Sequence, residues 1–448
     1  MFADGEDLLV PQRLKRRPRL LYLAFYFPPS RNSGVYRSRA VANHFAAAGW
    51  DVTVLAAPAE FFVDYVGSYD SSLEATVHPD IRIERVDFDK RHWERDIRRI
   101  GPLRANVPAL SSIIEQTVHR RIFPERYASW GAAVVARAAK LHRKHRSDAV
   151  LATGNPFVSF ASAWSIGKLL RIPYVVDYRD AWTVSVFTGE PAFPAHSPVW
   201  GWERRVLRDA AEAVFVNDGL RGWHARRYPE SARQMTVVLN GWEPELLGDV
   251  PYRRREPDRP LRFGYIGTIT EPMPLETLFE AWEKARSTPE LEGAQFDIYG
   301  HLGFFQQTAV ALRARLPEES SGAVYRGPLP KAGLAAVYEQ LDVLVLCLAG
   351  AKFVTSGKVF EYMAAGRPIV SAHEPDAAAV DVLRGHPLWY GVDSFDPGSV
   401  ADAMQKAAAR ARSLTEDDVL AARAHAARFT RDAPLGAFER RMRGYAGA

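Results

Sequence analysis

The chain has 448 residues, of which 47% are hydrophobic and 25% are charged, a composition typical of a globular protein with two or three domains. No apolar run approaches the roughly 18 residues that a membrane-spanning helix needs, and residues 1–10 lack the apolar core of a secretory signal. We therefore expect a cytoplasmic protein. The single cysteine, Cys347, lies in an apolar run, which favours a core residue over a nucleophile and excludes an intrachain disulfide.

The formal net charge is +5, and the basic residues cluster at 15–17, 91–126 and 140–146. Solvated helix faces are the simplest explanation of such clusters. Attraction to an anionic membrane surface or to an anionic substrate is the alternative. No nucleic-acid-binding motif accompanies the charge, so nucleic acid is not expected as a partner.

Residues 1–17 are predicted to form a flexible arm, and residues 18–248 a first α/β domain. Its first strand is followed by a loop and by a helix at 35–48, a unit that forms a right-handed parallel crossover with the next strand. Strands are predicted at 19–25, 51–56, 148–153, 173–177, 213–217 and 235–239. Residues 59–128 form a long, arginine-rich excursion, a feature that is usually functional or mobile.

The polar stretch 249–260 predicts a linker, after which the α/β rhythm returns in a second domain at 261–425. Its strands are predicted at 261–266, 295–299, 324–326, 343–347 and 368–372. A last helical stretch covers about 415–445, and we expect residues 426–448 to pack back toward the first domain. The predicted fold class is α/β, with two doubly wound parallel sheets facing each other across a cleft. The carboxyl ends of their strands line this cleft, where such sheets bind ligands.

Residues 354–371, VTSGKVFEYMAAGRPIVS, form the most informative segment of the chain. They predict a small-residue loop, a helix that begins at Gly357 and ends at Gly366, and a buried strand. The free N–H groups of a helix start favour an anion. Lys358 stands in the first turn, where the helix dipole repels a cation by roughly 0.3–1 kcal/mol unless an anion lies between them. Glu361 lies on the same helix face, either as a ligand contact or as the ion-pair partner of Lys358.

Loops of the first domain supply further candidates. Gly34 follows the first strand, where it either permits close approach of a ligand or forms a simple turn. Asn155 follows another strand and is a candidate anion or hydroxyl contact. Arg179 and Asp180, with Trp182 nearby, follow the strand at 173–177 and form either a surface ion pair or part of the cleft.

In the second domain, Gly267 with Thr268 and Gly300 occupy loops of the same kind, and turns are again the alternative. The first strand is not followed by G-x-G-x-x-G, which disfavours a nicotinamide or flavin dehydrogenase. Neither a phosphate-binding G-x-x-x-x-G-K-[ST] loop nor a hydrolase G-x-S-x-G turn occurs. The histidines show no metal-ligand spacing, so no metal site is predicted.

These residues, in this order, resemble retaining glycosyltransferases of glycosyltransferase family 4, which have the GT-B fold. The resemblance covers nearly the whole chain, from about residue 19 to residue 445, and is closest to the subgroup that builds bacterial surface and specialised glycans. Its segments are Tyr26-Phe-Pro-Pro with Gly34, Asn240-Gly241, Gly267-Thr268, Arg179-Asp180-x-Trp182 and, most specifically, the stretch 356–370.

The resemblance implies transfer of a sugar from a nucleoside diphosphate to an acceptor hydroxyl, with no cofactor and no metal ion. The diphosphate would lie at the helix start beside Lys358, and Glu361 would bind the ribose. The donor-binding residues implied are Gly34, Gly267, Thr268, Gly300, Thr355, Ser356, Gly357, Lys358 and Glu361. The catalytic residues implied are Lys358, Arg179 and Asp180, and the acceptor-binding residues are Arg37, Asn155 and Trp182.

The chain departs from the family pattern at Phe353, where a glutamate usually contacts the donor sugar. The loop 267–274 lacks the usual arginine and lysine, and Arg179 replaces a common histidine. The acceptor is either a polyprenyl-linked glycan at the inner face of the cell membrane or a small natural product. Two alternatives stay open: a nucleotide-sugar epimerase of the same fold, and a non-catalytic, membrane-associated protein.

Overall fold

Two parallel β-sheets organise the chain, in a computed structural model that describes residues 16–67, 69–90, 93, 125–248, 250–303, 306–329, 333–348 and 352–447. The predicted N-terminal arm and the basic stretch 91–126 lie almost wholly outside the described residues. The predicted fold class, α/β with two doubly wound parallel sheets, is confirmed.

The first sheet has seven strands in the order β3-β2-β1-β4-β5-β6-β7, with every neighbouring pair parallel. They are β1 Arg19–Leu23, β2 Asp51–Ala56, β3 Arg82–Arg85, β4 Ala149–Gly154, β5 Tyr174–Tyr178, β6 Glu212–Phe215 and β7 Met235–Val237. Helices α1 Val35–Ala47, α2 Ala128–Lys144, α3 Val158–Leu170, α4 Val199–Asp209 and α5 Asp218–Arg227 flank it. The central strands β4 and β5 are buried along their whole length because helices cover both faces of the sheet.

The second sheet has six strands in the order β10-β9-β8-β11-β12-β13, again all parallel. They are β8 Arg262–Ile266, β9 Gln295–Tyr299, β10 Ala323–Gly327, β11 Val343–Cys347, β12 Ile369–Ala372 and β13 Trp389–Gly391. The helices are α6 Leu275–Arg286, α7 Gln306–Ala314, α8 Leu334–Gln340, α9 Gly357–Ala365, α10 Ala379–Leu383, α11 Pro397–Arg412, α12 Glu416–Ala427 and α13 Asp432–Tyr445. Short helical segments connect these elements, at Ala59–Phe61, Phe62–Val66, Ser71–Thr76, Pro229–Gln234, Pro244–Leu247, Pro289–Leu291 and Glu319–Ser321.

The C-terminal helical stretch, expected to be continuous, is divided into α12 and α13. Between them the chain pairs with Trp242, whose N–H donates to the Phe429 carbonyl and whose carbonyl accepts from the Arg431 N–H. Helix α13 then packs against the first sheet, where Phe438 is buried in the same apolar cluster as Trp50. The last helix therefore joins the two halves of the chain.

The strand order of each sheet reverses at one point, between β1 and β4 in the first sheet and between β8 and β11 in the second. The loops that leave the carboxyl ends of these strands diverge there and open a crevice, the usual ligand position in open α/β sheets. The segment 354–358 follows β11, so the reversal points place the main sequence candidates at the crevice.

The buried His386 makes the stability of the second domain depend on pH. Its Nδ1 accepts from the Leu388 N–H at 3.3 Å and its Nε2 faces the Met363 carbonyl at 3.4 Å, an arrangement that requires the neutral ring. Burial, and then the neighbouring His425, lowers the pKa of His386 to about 4. The unfolded chain binds this proton near pH 6.5, so stability is complete above that pH and falls as the pH drops toward 4.

We expect the free energy of unfolding to fall by about 2 kcal/mol more in the wild type than in His386→Gln between pH 7 and pH 5. Urea unfolding at the two pH values measures it. An equal fall in both proteins would show that His386 is protonated in the native state as readily as in the unfolded chain.

Candidate active site

In the first domain, Arg179 joins the loops that follow β1, β4 and β5. Its Nη2 donates to the Asn155 carbonyl at 2.7 Å. Its guanidinium packs against Gly34, where an added Cβ would lie 1.9 Å from Nη1. Three predicted candidates therefore lie together at the first reversal point. Among the described ion pairs none joins Arg179 to Asp180, whose carboxylate accepts from the Ala181 N–H at 3.0 Å.

Arg37 and Trp182, predicted to bind the acceptor, lie in the packed interior instead. Arg37 is 5% exposed and forms a forked ion pair with Asp177, with contacts of 2.8 and 2.9 Å. Trp182 is 5% exposed and stacks on Phe157 with the ring centres 5.5 Å apart. Charge pairing turns Arg37 inward and ring packing does the same for Trp182, and acceptor binding by either residue stays a prediction.

The start of α9 faces the second reversal point. Ser356 caps the helix by accepting from the Lys358 N–H, and Gly366 ends it in a left-handed conformation with φ 69°. The Lys358 ammonium donates to the Tyr265 hydroxyl at 2.7 Å and lies 4.5 Å from the centre of that ring. Tyr265 donates in turn to the Thr268 carbonyl at 3.0 Å. Tyr265 therefore fixes the direction of the Lys358 side chain.

Gly267 and Gly300 bring two loops of the second domain into direct contact. Their φ angles are 152° and 144°, in the range that glycine tolerates and other residues avoid. A Cβ on Gly300 would lie 1.9 Å from the Gly267 carbonyl oxygen, and a Cβ on Gly267 would lie 2.2 Å from the Lys358 ammonium. Gly267 is therefore the residue that leaves room for Lys358.

A second cation, Arg431, lies beside the start of α9. Its Nη2 is 4.0 Å from the position that a Cβ on Gly357 would occupy. Arg431 is 8% exposed, and its Nε lies 3.1 Å from the Glu243 carboxylate, which also pairs with Arg39. Burial lowers the pKa of Arg431, and Glu243 opposes this effect. Two cations, Lys358 and Arg431, thus lie near the helix start.

The loop before α9 is anchored in the first domain. Phe353, 7% exposed, packs in the first-domain core, and its N–H donates to the Val186 carbonyl at 2.8 Å. Asn217 donates to the Phe353 carbonyl at 2.8 Å and to the Thr355 hydroxyl at 3.2 Å. Asn240 donates to the Thr355 carbonyl at 3.1 Å. The phenyl ring that stands where a sugar-binding glutamate was expected thus anchors the loop, and Thr355, predicted to bind the donor, is 3% exposed within it.

Arg31 and His301 bridge the two sides of the crevice. The Arg31 Nη1 donates to His301 Nε2 at 2.7 Å, since a guanidinium cannot accept. Burial and the positive charge of Arg31 lower the pKa of His301. A neutral His301 therefore closes the loop after β1 onto the loop after β9.

Glu361 lies on α9, and its charge acts on one tyrosine of each domain. Burial, followed by the charge of Glu361, raises the pKa of Tyr36 to about 12. The same two causes, in the same order, raise the pKa of Tyr338 well above its ordinary value. A half-buried carboxylate thus faces two phenols, one from each domain.

Sequence reasoning missed Tyr265, Arg31, His301, Asn217 and Arg431. Tyr265 lies two residues before Gly267, and His301 directly follows Gly300. A polar side chain so close to a candidate loop glycine could therefore have predicted both residues. Nothing in the local sequence could have predicted Arg431, because it reaches the site only where the C-terminal segment returns to the first domain.

No group of three metal-ligating side chains lies together in the described part of the chain. No described helix has the length and apolar character needed to cross a bilayer.

Both halves of the chain match known glycosyltransferase families. Residues 34–241 match a profile described as a glycosyl transferase 4-like domain, and residues 260–410 match one described as glycosyl transferases group 1. No curated protein sequence matches the chain. With its two facing parallel-sheet domains, the chain belongs to the glycosyltransferases of the GT-B fold.

Solved structures of the same fold cover nearly the whole chain at low sequence identity. Sucrose-phosphate synthase from Thermosynechococcus elongatus has a TM-score of 0.67 at 16% identity, covering 96% of this chain and 100% of that one. A glycosyltransferase from Rickettsia africae has a TM-score of 0.65 at 10% identity, with 96% and 98% covered. Anabaena HepE in complex with UDP-glucose has a TM-score of 0.62 at 13% identity, with 95% and 99% covered. At these identities the likeness concerns the fold.

Proposed function

We propose that this glycosyltransferase moves a sugar from a nucleoside diphosphate to an acceptor hydroxyl with retention of configuration and without a metal ion. The diphosphate would lie at the start of α9, between Lys358 and Arg431. Glu361 would bind the ribose. The acceptor, a lipid-linked glycan or a small natural product, would enter from the side of Arg179 and Asn155.

One observation carries this proposal. The start of a helix capped by Ser356 lies at the point where the strand order reverses, and two cations lie beside it. The helix dipole presents positive charge at this end and the two cations add to it, so the site favours an anion. A diphosphate, with at least two negative charges, suits such a site.

In the proposed sugar transfer, the main role of the protein is to stabilise the departing diphosphate. Fixed N–H groups and a cation whose direction Tyr265 sets are already oriented, so little reorganisation accompanies bond cleavage. The crevice loops meet through Arg31 and His301, which would help to exclude water from the donor. The structure of HepE with UDP-glucose supports a nucleotide-sugar donor in this fold.

Thermal shift against nucleoside diphosphates, followed by donor turnover with and without added acceptors, tests the function. A nucleotide at 100 times its dissociation constant should add about 2.7 kcal/mol of stability. Turnover in the presence of a chelator tests independence of metal. Donor turnover without an acceptor would favour the epimerase instead, and the absence of stabilisation by every nucleotide would contradict the proposal.

Glu361→Ala should weaken binding of the preferred nucleoside diphosphate by about ten- to a hundredfold, the effect of losing one charge-assisted hydrogen bond. Isothermal titration calorimetry measures it. Glu361→Gln, which keeps the shape and an acceptor oxygen, should lose less. Glu283→Ala, on the exposed face of α6, is the matched control and should bind like the wild type. Unchanged nucleotide affinity in Glu361→Ala would mean that this carboxylate interacts only with other residues of the protein.

A further inference from the structure

A groove of about 1110 Å³, here called the linker groove, lies at the edge of the second sheet opposite the candidate active site. Its floor is formed at the amino ends of β8 and β11, by Arg262 and Asp342. Its walls are the linker residues 252–259 and the turn 411–416 between α11 and α12. Strands of five residues span roughly 17 Å, so the linker groove is separate from the start of α9.

The linker groove is strongly basic. Seven arginines line it against four carboxylates. The buried carboxylate, Asp342, already accepts from Arg259 Nη2 at 2.5 Å and from the Arg262 N–H at 2.8 Å. Glu339 pairs with Arg253. A concave surface with such an excess of positive charge concentrates anions.

Arg255 is the clearest sign that a partner is missing. Its side chain is 11% exposed, and its Nε is buried without a hydrogen bond to any described residue. That atom lies 4.0 Å from Asp342, which other donors already occupy, while Nη1 donates to the Pro257 carbonyl at 2.9 Å. Burial lowers the pKa of Arg255, and Arg259 and Arg412 add repulsion. A buried guanidinium with an unused donor favours an additional acceptor.

Two more arginines approach the linker groove from other segments. Arg367 is 4% exposed and donates only to backbone carbonyls, each at 3.4 Å, with no carboxylate bonded to it in the described structure. Arg412 stands at the exposed rim and donates to the Glu290 carbonyl. Arg255 from the linker, Arg367 from the turn before β12 and Arg412 from the end of α11 thus reach the linker groove from three segments.

We propose that the linker groove binds a phosphorylated anion through Arg255, Arg367 and Arg412. Planar guanidinium groups match the oxygens of a phosphate, and three of them from three segments suit a compact, multiply charged group. Free phosphate compounds and phosphate headgroups of lipids share this chemistry. A bound anion would tie the interdomain linker to the second sheet. The proposal does not depend on the sugar transfer proposed above.

Calorimetry with inorganic pyrophosphate tests the site in the full-length chain. The Lys358→Ala background weakens any binding at the start of α9. In that background Arg412→Gln should reduce pyrophosphate affinity by about tenfold, the effect of one charge-assisted contact. Arg226→Gln removes one exposed positive charge from the first domain and should leave the affinity within about twofold. Arg255→Gln should reduce the affinity at least as much as Arg412→Gln. Because Arg412 is exposed, its replacement should leave folding intact.

Hydrogen–deuterium exchange locates the bound anion. Pyrophosphate should protect residues 250–260 and 411–416, and should do so in Lys358→Ala as well. Sedimentation with vesicles containing phosphatidic acid, compared with phosphatidylcholine alone, separates the two sources of phosphate. Binding to phosphatidic acid that Arg412→Gln weakens would identify a lipid headgroup. The proposal is overturned if neither probe binds, if both arginine variants bind like the wild type, or if protection is confined to residues 354–361.

Discussion

Replacing Lys358 by alanine is expected to lower sugar-transfer turnover by at least about 10²–10³-fold, the loss found when one preorganised electrostatic contact is removed from a transition state. The ammonium is held by the Tyr265 hydroxyl at 2.7 Å and points at Gly267. Lys358 is only half-buried at the start of a helix, so the melting temperature should change little. Initial rates with a saturating nucleotide-sugar donor measure the effect.

Lys352→Ala is the matched control for this experiment. Lys352 lies on the same loop, but its ammonium pairs with Asp376 at 2.9 Å rather than pointing at Gly267. Its loss should leave turnover close to that of the wild type. Lys358→Arg keeps the charge without the compact ammonium and should recover only part of the rate. Near-wild-type turnover in Lys358→Ala would show that Lys358 is not a catalytic residue. The diphosphate would then be stabilised by Arg431 and the helix start.

Arg37→Met is expected to lower the free energy of unfolding by about 3–5 kcal/mol, because it leaves Asp177 as an unpaired buried charge. The Asp177 side chain is 2% exposed and accepts both forks of the guanidinium. The Thr153 hydroxyl is its other close donor, at 3.3 Å. Urea or thermal unfolding measures the loss.

The double variant Arg37→Met/Asp177→Asn should lose much less than the sum of the two single variants, since neither charge is then left alone. Arg208→Met, which breaks an exposed ion pair with Asp209, is the comparison and should cost only a small fraction of the loss in Arg37→Met. If Arg37→Met were as stable as the wild type but no longer transferred sugar to the acceptor, the result would support the predicted role of Arg37 in acceptor binding.

The sheets were predictable because helices bury their central strands on both faces, which leaves continuous apolar runs such as β1 and β11. The edge strand β3 was not predicted. Three of its four residues, Arg82–Arg85, are charged, and none is fully buried at the edge of the sheet, so their sequence is typical of a loop. A short edge strand carries little of the apolar signal that identifies the central ones.

The sequence by itself determined the two-domain parallel architecture, the helix start at Gly357 and the position of Lys358 in its first turn, because these depend on local pattern, capping and glycine placement. Only the tertiary structure decided which charged and aromatic residues face the crevice. Arg37 and Trp182 turn inward, Phe353 anchors a loop of one domain in the core of the other, and Arg431 arrives from the C-terminal segment. Side-chain direction and long-range contacts depend on which elements pack together, and no local pattern contains that information.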